Sequence, residues 1–298
     1  MAGSFTLPSF AKINWDLRIL GKRDDGFHEL CTTFQTVSLH DDLTFEESDE
    51  LSLTCNDPNV PVDPSNLVLR AAGALRTKYS TISGAKIHLE KRIPSPGGLG
   101  GASSNAAVAL IGLSALWELD AGIRELEKLS SHIGSDVPFF LHGGTALGTG
   151  RGEVIEPIED RVEASMLIVT PDVRVPTSDA FGFVSAPNLT SDASNRILRV
   201  CRSNAESVDL PRASLKNDLE PIVLERFPEI ARVKQKLTEL GAIHVMLSGS
   251  GSSVYAVFDK EETRQATLKA LDQESTWRKF AVATISRAQY REALQLVF

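Results

Sequence analysis

Pro94 to Asn105 reads PSPGGLGGASSN, and its residue types are those that can cradle phosphate. Gly97, Gly98, Gly100 and Gly101, with Leu99 between them and Ala102 after, leave a backbone whose N–H groups can turn toward an anion with no Cβ in the way. Ser103, Ser104 and Asn105 lead into an Ala/Leu-rich run that reads as a helix. Its N-terminus adds roughly half a positive charge, and the hydroxyls stand within reach of phosphate oxygens or a magnesium ion. The same residues also suit an ordinary glycine turn with a serine N-cap. A second stretch, Ser248, Gly249, Ser250, Gly251 and two further serines, joins two β runs. Two glycine-serine loops, each following a strand, argue for phosphate more strongly than either alone.

Other residue types add to this chemistry. From Phe10 to Leu20 apolar and polar residues alternate, with Ile13, Trp15, Leu17 and Ile19 on the core face. Lys12 and Asn14 therefore share the opposite face, where they line either a cleft or solvent. The turn GKRDDG presents Phe27 and His28, a ring that can stack on a base and an imidazole that can bond it, or else a simple packing pair. Lys91 and Arg92 stand just before the first glycine loop. Asp136, in GSDVP, suits a helix N-cap with Pro138 in the first turn, a carboxylate at the mouth of a site, or both.

The elements that must position these groups follow from patterning. LCTTFQTVSL, DLTFEES, LSLTC and AKIHLEKRIP read as strands, and Asn66 or Ser65 can cap a helix over NLVLRAAGALRTKY with Leu67, Ala71, Ala74 and Leu75 on one face. IRELEKLSSHIG reads as a helix closed by Gly134. From about Val154 the chain reads as a second domain. VIEPI and SMLIVTP are expected as short buried strands, a loop and short helix span 173–192, and a polar patch of little pattern runs from Arg196 to Ser207. Two helices split at Pro228, two β runs around SGSGSS, a helix at 263–272 and a strand at 280–285 follow in a split-βαβ order. The expected division is 1–153 and 154–298.

Composition sets the bounds. The chain has 298 residues, 42% of them hydrophobic, and a net charge of −8, which disfavours a nonspecific nucleic-acid or anionic-membrane binder. There is no apolar run long enough to span a membrane and no secretory leader pattern, so a cytoplasmic protein is expected. Cys31, Cys55 and Cys201 lack metal or disulfide spacing, and the six histidines show no ligand pattern. GxxxxGK[ST], GxGxxG, GxSxG and HExxH are all absent.

PSPGGLGGASSNAAVAL resembles the second motif of the GHMP kinases (galactose, homoserine, mevalonate and phosphomevalonate kinases), and VMLSGSGSSVYAVF resembles their third. SFAKINWDLRILGKRDDGFHEL, SNLVLRAA and GSDVPFFLHGG follow the order and spacing of one branch of that family, whose acceptor is a cytidyl-diphosphate sugar alcohol. The likeness runs over nearly the whole chain. It implies an α+β, two-domain GHMP kinase fold, with an N-terminal domain like domain 2 of ribosomal protein S5 and a C-terminal ferredoxin-like domain. By the same resemblance Lys12 and Asp136 are the catalytic pair, and Asn14, Phe27, His28, Thr177 and Phe181 meet the acceptor, Phe181 against the cytosine. ATP would take Pro94 and the loop from Gly97 to Asn105, its phosphates on the backbone of Gly98 to Ser104 and its adenine side near Asn66, Lys91 and Asn105. Ser248 to Gly251 form the other wall.

The implied activity is ATP-dependent phosphorylation with magnesium, on small molecules, by a monomer or weak homodimer that binds neither nucleic acid nor membrane. Superfamily analogy offers Ser104 as a candidate magnesium ligand, and no metal ligand is assigned here. Three positions depart from the family's pattern: Phe27 stands where tyrosine is usual, Ser135 where alanine is, and Ala102 where glycine is. Ala102 is expected to keep φ negative because the helix is about to begin. The readings set against this one are another small-molecule GHMP kinase and a non-catalytic nucleotide- or RNA-binding module of the same fold.

Overall fold

The computed structural model describes residues 3–184, 198–199, 202–203 and 215–295. Cys201 and most of the patch from Arg196 to Ser207 lie outside them. Two long strands organise the first sheet, β1 (Phe5–Lys22) and β2 (His28–Ser48), paired antiparallel through three register shifts. The two runs expected at 30–39 and 42–48 are thus one continuous strand. Its second edge is shared: β4 (Gly84–Glu90) takes the half from Asp42 to Ser48 and β5 (Thr145–Gly150) the half from Leu30 to Gln35. Strand β3 (Leu51–Cys55) closes one end, parallel to β4, and β6 (Val154–Pro157) the other.

One face of this sheet is covered by helices. Asn66 caps α1 (Leu67–Tyr79), its Oδ1 accepting from the Val68 N–H at 2.9 Å, and the buried face is Val68, Ala71, Ala72 and Leu75. The face is rotated from the expected one because the helix packs on α2 (Gly101–Leu116) as well as on the sheet. Helix α2 is buried on nearly every side, which its Ala/Leu composition permits; the polar side chains it buries are Ser104, Asn105 and Ser114. Next, α3 (Ile123–Ile133) stops at Gly134, in extended rather than left-handed backbone, and the short α4 (Phe139–His142) starts at Pro138 with no side-chain cap. Asp136 is not a cap.

The second sheet has the order β10-β7-β9-β8, all antiparallel: β7 (Met166–Thr170), β8 (His244–Leu247), β9 (Val254–Val257) and β10 (Arg278–Val282). With α6 (Glu220–Arg226), α7 (Pro228–Glu239) and α8 (Glu261–Ala270) this is the expected ferredoxin-like split-βαβ arrangement. The short helix α5 (Thr177–Gly182) precedes them. VIEP differs from the expectation of a buried strand. It is mostly exposed, because it pairs only with β5 at the end of the first sheet.

That pairing also bears on the domain division. A cut between 153 and 154 would leave β6 on the wrong side, so we place the passage to the second sheet between Pro157 and Met166. The chain then returns: α9 (Arg287–Ala293) puts Tyr290 and Leu294 into the core of the first domain. A further apolar cluster welds the two sheets, with Ile13, Trp15 and Leu99 meeting Ile168, Tyr255 and Val257. Trp15 and Tyr255 meet edge to face, 5.4 Å between ring centres. No helix among the described residues is long and apolar enough to cross a membrane.

Candidate active site

A cavity of about 940 Å³ opens between the sheets, near the upper end of the size usual for a single small ligand. Both faces of β1 are accounted for by it. Ile13 and Trp15 enter the inter-sheet core, while Lys12 and Asn14 face the cavity and are nonetheless only 3% and 1% exposed. The glycine loops cover them. The Lys12 N–H donates to the Leu99 carbonyl at 2.9 Å, so strand and loop are joined beside the lysine.

The Lys12 ammonium is held from three sides. It donates to Asn14 Oδ1 at 2.8 Å and to the Gly98 carbonyl at 3.0 Å, and Asp136 Oδ2 lies 3.5 Å away. Burial pushes the Lys12 pKa down and the Asp136 charge pulls it partly back. Asn14 is itself oriented: its Nδ2 donates to Thr32 Oγ1 at 2.7 Å, and that hydroxyl donates to the Asp16 carbonyl at 2.7 Å. With Nδ2 occupied, Oδ1 is the atom turned to the lysine. Asp136 is about one-third exposed toward the cavity, so its carboxylate can meet both Lys12 and a ligand.

The two glycine loops touch. Gly98 has φ +71, and a Cβ there would lie 2.0 Å from the Ser248 carbonyl oxygen, so only glycine fits. Its own carbonyl accepts from Ser248 Oγ at 3.0 Å as well as from Lys12. Gly100, at φ +70, begins α2 and aims the first N–H groups of that helix into the cavity. Ala102 keeps φ negative, as expected from its place inside the helix.

At the other end of the cavity His28 and Phe181 stack, their ring centres 5.6 Å apart and 26° from coplanar. Phe27 is 53% exposed beneath the Arg151 guanidinium, 4.9 Å from its ring centre. Burial and the nearby Lys22 charge both lower the His28 pKa, which favours the neutral imidazole that can donate or accept. Thr177 Oγ1 shares a hydrogen bond with Ser250 Oγ, 3.2 Å, at the meeting of α5 and the second loop.

The cavity therefore brings together Lys12, Asn14, Phe27, His28, Pro94, Gly97, Gly98, Leu99, Gly100, Gly101, Ala102, Ser103, Asp136, Thr177, Phe181, Gly249 and Ser250. Asn66, Lys91, Ser104, Asn105, Ser248 and Gly251 do not line it. Asn66 caps α1, and its Nδ2 donates to the Pro61 carbonyl at 2.6 Å. Ser104 Oγ accepts from Ser9 Oγ at 2.7 Å in the interior. Lys91 and Asn105 belong to a buried hub on Asp41, which patterning did not single out. Asp41 Oδ1 accepts from the Arg92 and Ile93 N–H groups, both at 2.7 Å, and Oδ2 from Lys91 Nζ at 2.9 Å and Asn105 Nδ2 at 3.0 Å. One carboxylate thus ties the strand end before the first loop to the helix after it. Lys91 is the partner of this carboxylate rather than a free cation near the loop, and Arg92 pairs with Asp42.

Patterning does not single out Asn217 either. It donates to the Leu247 and Gly249 carbonyls at 3.0 and 2.7 Å and so shapes the second loop. Its signal was an Asn before a helix; its Oδ1 accepts from the Leu219 N–H.

A kinase-type cleft between an S5-like and a ferredoxin-like sheet, walled by two glycine loops, is the architecture of the GHMP kinases. The GHMP kinases N terminal domain matches residues 66–144 and the GHMP kinases C terminal domain residues 199–275. The crystal structure of a 4-(cytidine 5'-diphospho)-2C-methyl-D-erythritol kinase aligns with a TM-score of 0.75 at 32% identity, over 94% of this chain and 99% of that one. A homoserine kinase from Cytophaga hutchinsonii shares the fold at 19% identity, TM-score 0.70, over 95% of each chain. The 4-diphosphocytidyl-2-C-methyl-D-erythritol kinase of Chlorobium phaeobacteroides (strain BS1) is 40% identical over 88% of this chain and 91% of its own length. That of Syntrophotalea carbinolica is 38% identical over 95% and 99%. The chain belongs to the 4-diphosphocytidyl-2-C-methyl-D-erythritol kinase family.

Proposed function

We propose that the chain transfers the γ-phosphoryl group of ATP to the 2-hydroxyl of 4-diphosphocytidyl-2-C-methyl-D-erythritol, in the non-mevalonate route to isoprenoid precursors. The observation that carries the chemistry is the Lys12–Asp136 pair, 3.5 Å apart under the glycine loop. The acceptor oxygen attacks the γ-phosphorus, the bond from that phosphorus to the β,γ-bridging oxygen breaks, and ADP leaves. The hydroxyl proton passes to Asp136. Phosphoryl transfer has a loose transition state, so alignment and charge neutralisation supply most of the rate. Asp136 orients the hydroxyl and takes its proton as the bond forms; Lys12, fixed by Asn14 and Gly98, neutralises the γ-phosphoryl oxygens.

The triphosphate lies along the backbone from Gly97 to Ser103, where the α2 N-terminus favours an anion. An adenine contact at Asn66, Lys91 or Asn105 would be made outside the cavity described. Among the described residues no group of three His, Cys, Asp or Glu side chains could cage a metal. Magnesium would be held by the phosphate oxygens of the triphosphate and by water, which suits a site without a protein cage. Bound there it would neutralise charge on the triphosphate.

The acceptor's cytosine is assigned to Phe27, His28 and Phe181. An aromatic stack on a base is worth about 1–3 kcal/mol, so Phe181→Ala and His28→Ala are expected to raise KM for the cytidyl acceptor by about tenfold or more and leave KM for ATP nearly unchanged. Equal changes in both constants would mean that these rings only support the fold. We assign the chain as a monomer or weak homodimer and place it in the cytoplasm. ADP release measured separately with the cytidyl acceptor, homoserine and mevalonate tests the activity itself. Turnover with the first alone is expected; turnover with either of the others in its place would make this another kind of GHMP kinase, and none with any of the three would leave a binding module.

A further inference from the structure

Gly100 is approached from two sides. A Cβ there would lie 2.8 Å from Phe140 Cζ and 3.0 Å from Lys12 Cγ, so the backbone that begins α2 rests on the Phe140 ring and on the Lys12 stem at once. Phe140 stands in α4, and Asp136 belongs to the turn that leads into it. In that turn the Val137 N–H donates to the Gly134 carbonyl at 3.2 Å, and the Phe140 N–H donates to the Val137 carbonyl at 3.1 Å. Phe139 meets Phe140 edge to face, 5.1 Å between ring centres, and stacks on Phe34 at 4.9 Å. The Lys12 ammonium in turn lies 5.6 Å from the Phe34 ring centre. The single turn of α4 therefore connects Lys12, Asp136 and the start of α2, whose mutual spacing phosphoryl transfer depends on.

A helix of four residues does not hold its own place, because one turn fixes more dihedral angles than its hydrogen bonds compensate. Its hold comes from the far end of the chain. Tyr290 of α9 is fully buried, and its Oη donates to the Phe140 carbonyl at 2.5 Å. The Tyr290 ring covers Gly143, the residue after α4, where a Cβ would lie 2.2 Å from Tyr290 Cγ. Phe10 backs that ring, 5.6 Å between centres. Burial pushes the phenol pKa up, which keeps the hydroxyl a donor. We infer that Tyr290 is a positioning residue for phosphoryl transfer: through Phe140 it sets the spacing between the start of α2 and the Lys12–Asp136 pair. Neither Tyr290 nor Phe140 lines the cavity, so neither acts by touching a ligand there. The inference rests on the kinase chemistry proposed above and holds for whichever acceptor is used.

Tyr290→Phe keeps the ring and removes only the hydroxyl. Misplacing reacting groups by about 1 Å can cost about 10²-fold, so kcat is expected to fall by about 10- to 100-fold, with each KM changed by less than about twofold. Phe140→Leu, which keeps the carbonyl and takes the ring from Gly100, should show the same split. Calorimetry confirms that each variant is folded. In an Asp136→Asn background Tyr290→Phe should add little further loss, because the group it positions is already gone; a tyrosine that only supports the fold would cost the same factor in both backgrounds. Normal kcat in both folded single variants, or equal factors in the two backgrounds, would overturn the inference. The parent chain is assayed alongside with the cytidyl acceptor, homoserine and mevalonate. Turnover with one of the other two alone refutes the proposed acceptor, and the variants are then compared on that one. No turnover with any refutes the kinase chemistry and this role with it.

Discussion

Asp136→Asn is expected to lower kcat for phosphoryl transfer by about 10²–10⁴-fold with little change in KM for ATP. Asparagine keeps the size of the side chain and one oxygen facing Lys12, but it cannot take a proton from the acceptor. Lys12→Ala should lose a similar factor for a different reason, since it removes the charge that meets the γ-phosphoryl group and leaves Asn14 Oδ1 without the ammonium that donates to it. The two losses should not add. The side chains are in contact and act on one transition state, so the double variant should be little worse than the poorer single one. Calorimetry on each variant separates a lost role from a lost fold. Near-normal kcat in both single variants would remove this pair from the chemistry.

Asp41→Asn is expected to destabilise the folded chain by about 3–5 kcal/mol, the usual cost of leaving one partner of a buried ion pair unpaired. Asp41 is fully buried and Lys91 nearly so, and the carboxylate accepts four hydrogen bonds. An amide keeps one accepting oxygen and sets an NH2 against donors. Lys91 is then a buried cation without a counter-charge. Burial already lowers its pKa, and Asp41 is what raises it back. In the variant the folded-state pKa falls further below the unfolded value, so the unfolded chain binds more protons and stability should rise with pH up to the ordinary lysine range. Denaturation midpoints measured from neutral to alkaline pH read this directly. A variant as stable as the parent, with no such slope, would mean that the hub contributes little. Asp41→Asn with Lys91→Met should recover part of the loss, because the orphaned charge is gone.

Much of the site was written in local pattern. Period-2 alternation put Lys12 and Asn14 on one face of β1, and four glycines before an Ala/Leu run marked a loop and the start of α2. Asn66 was legible as a cap because its chemistry is satisfied within two residues. Other features were illegible because the partners are far apart in sequence. Asp41 and Lys91 find each other across fifty positions, and nothing local marks which of several Asp and Lys residues will be buried together. Thr32 and Asn217 act by orienting Asn14 and the second loop, through hydrogen bonds that have no periodic signature. The capping alternative for Asp136 is visible only in three dimensions, since Pro138 begins α4 without a side-chain cap and the carboxylate lies 3.5 Å from Lys12.

The domain division shows the same limit. A chain read in order gives a single cut, yet α9 returns to the first core and β6 stays with the first sheet. Apolar residues in a short helix such as 287–293 announce burial but not the core that receives them.

A crystal structure of this chain with a non-hydrolysable ATP analogue and the cytidyl acceptor tests the central claim most directly. The triphosphate is expected along Gly97 to Ser103, Lys12 against the γ-phosphoryl oxygens, and an Asp136 oxygen about 2.6–3.2 Å from the acceptor hydroxyl. An acceptor hydroxyl bonded to some other group, with Asp136 turned from it, would contradict that claim.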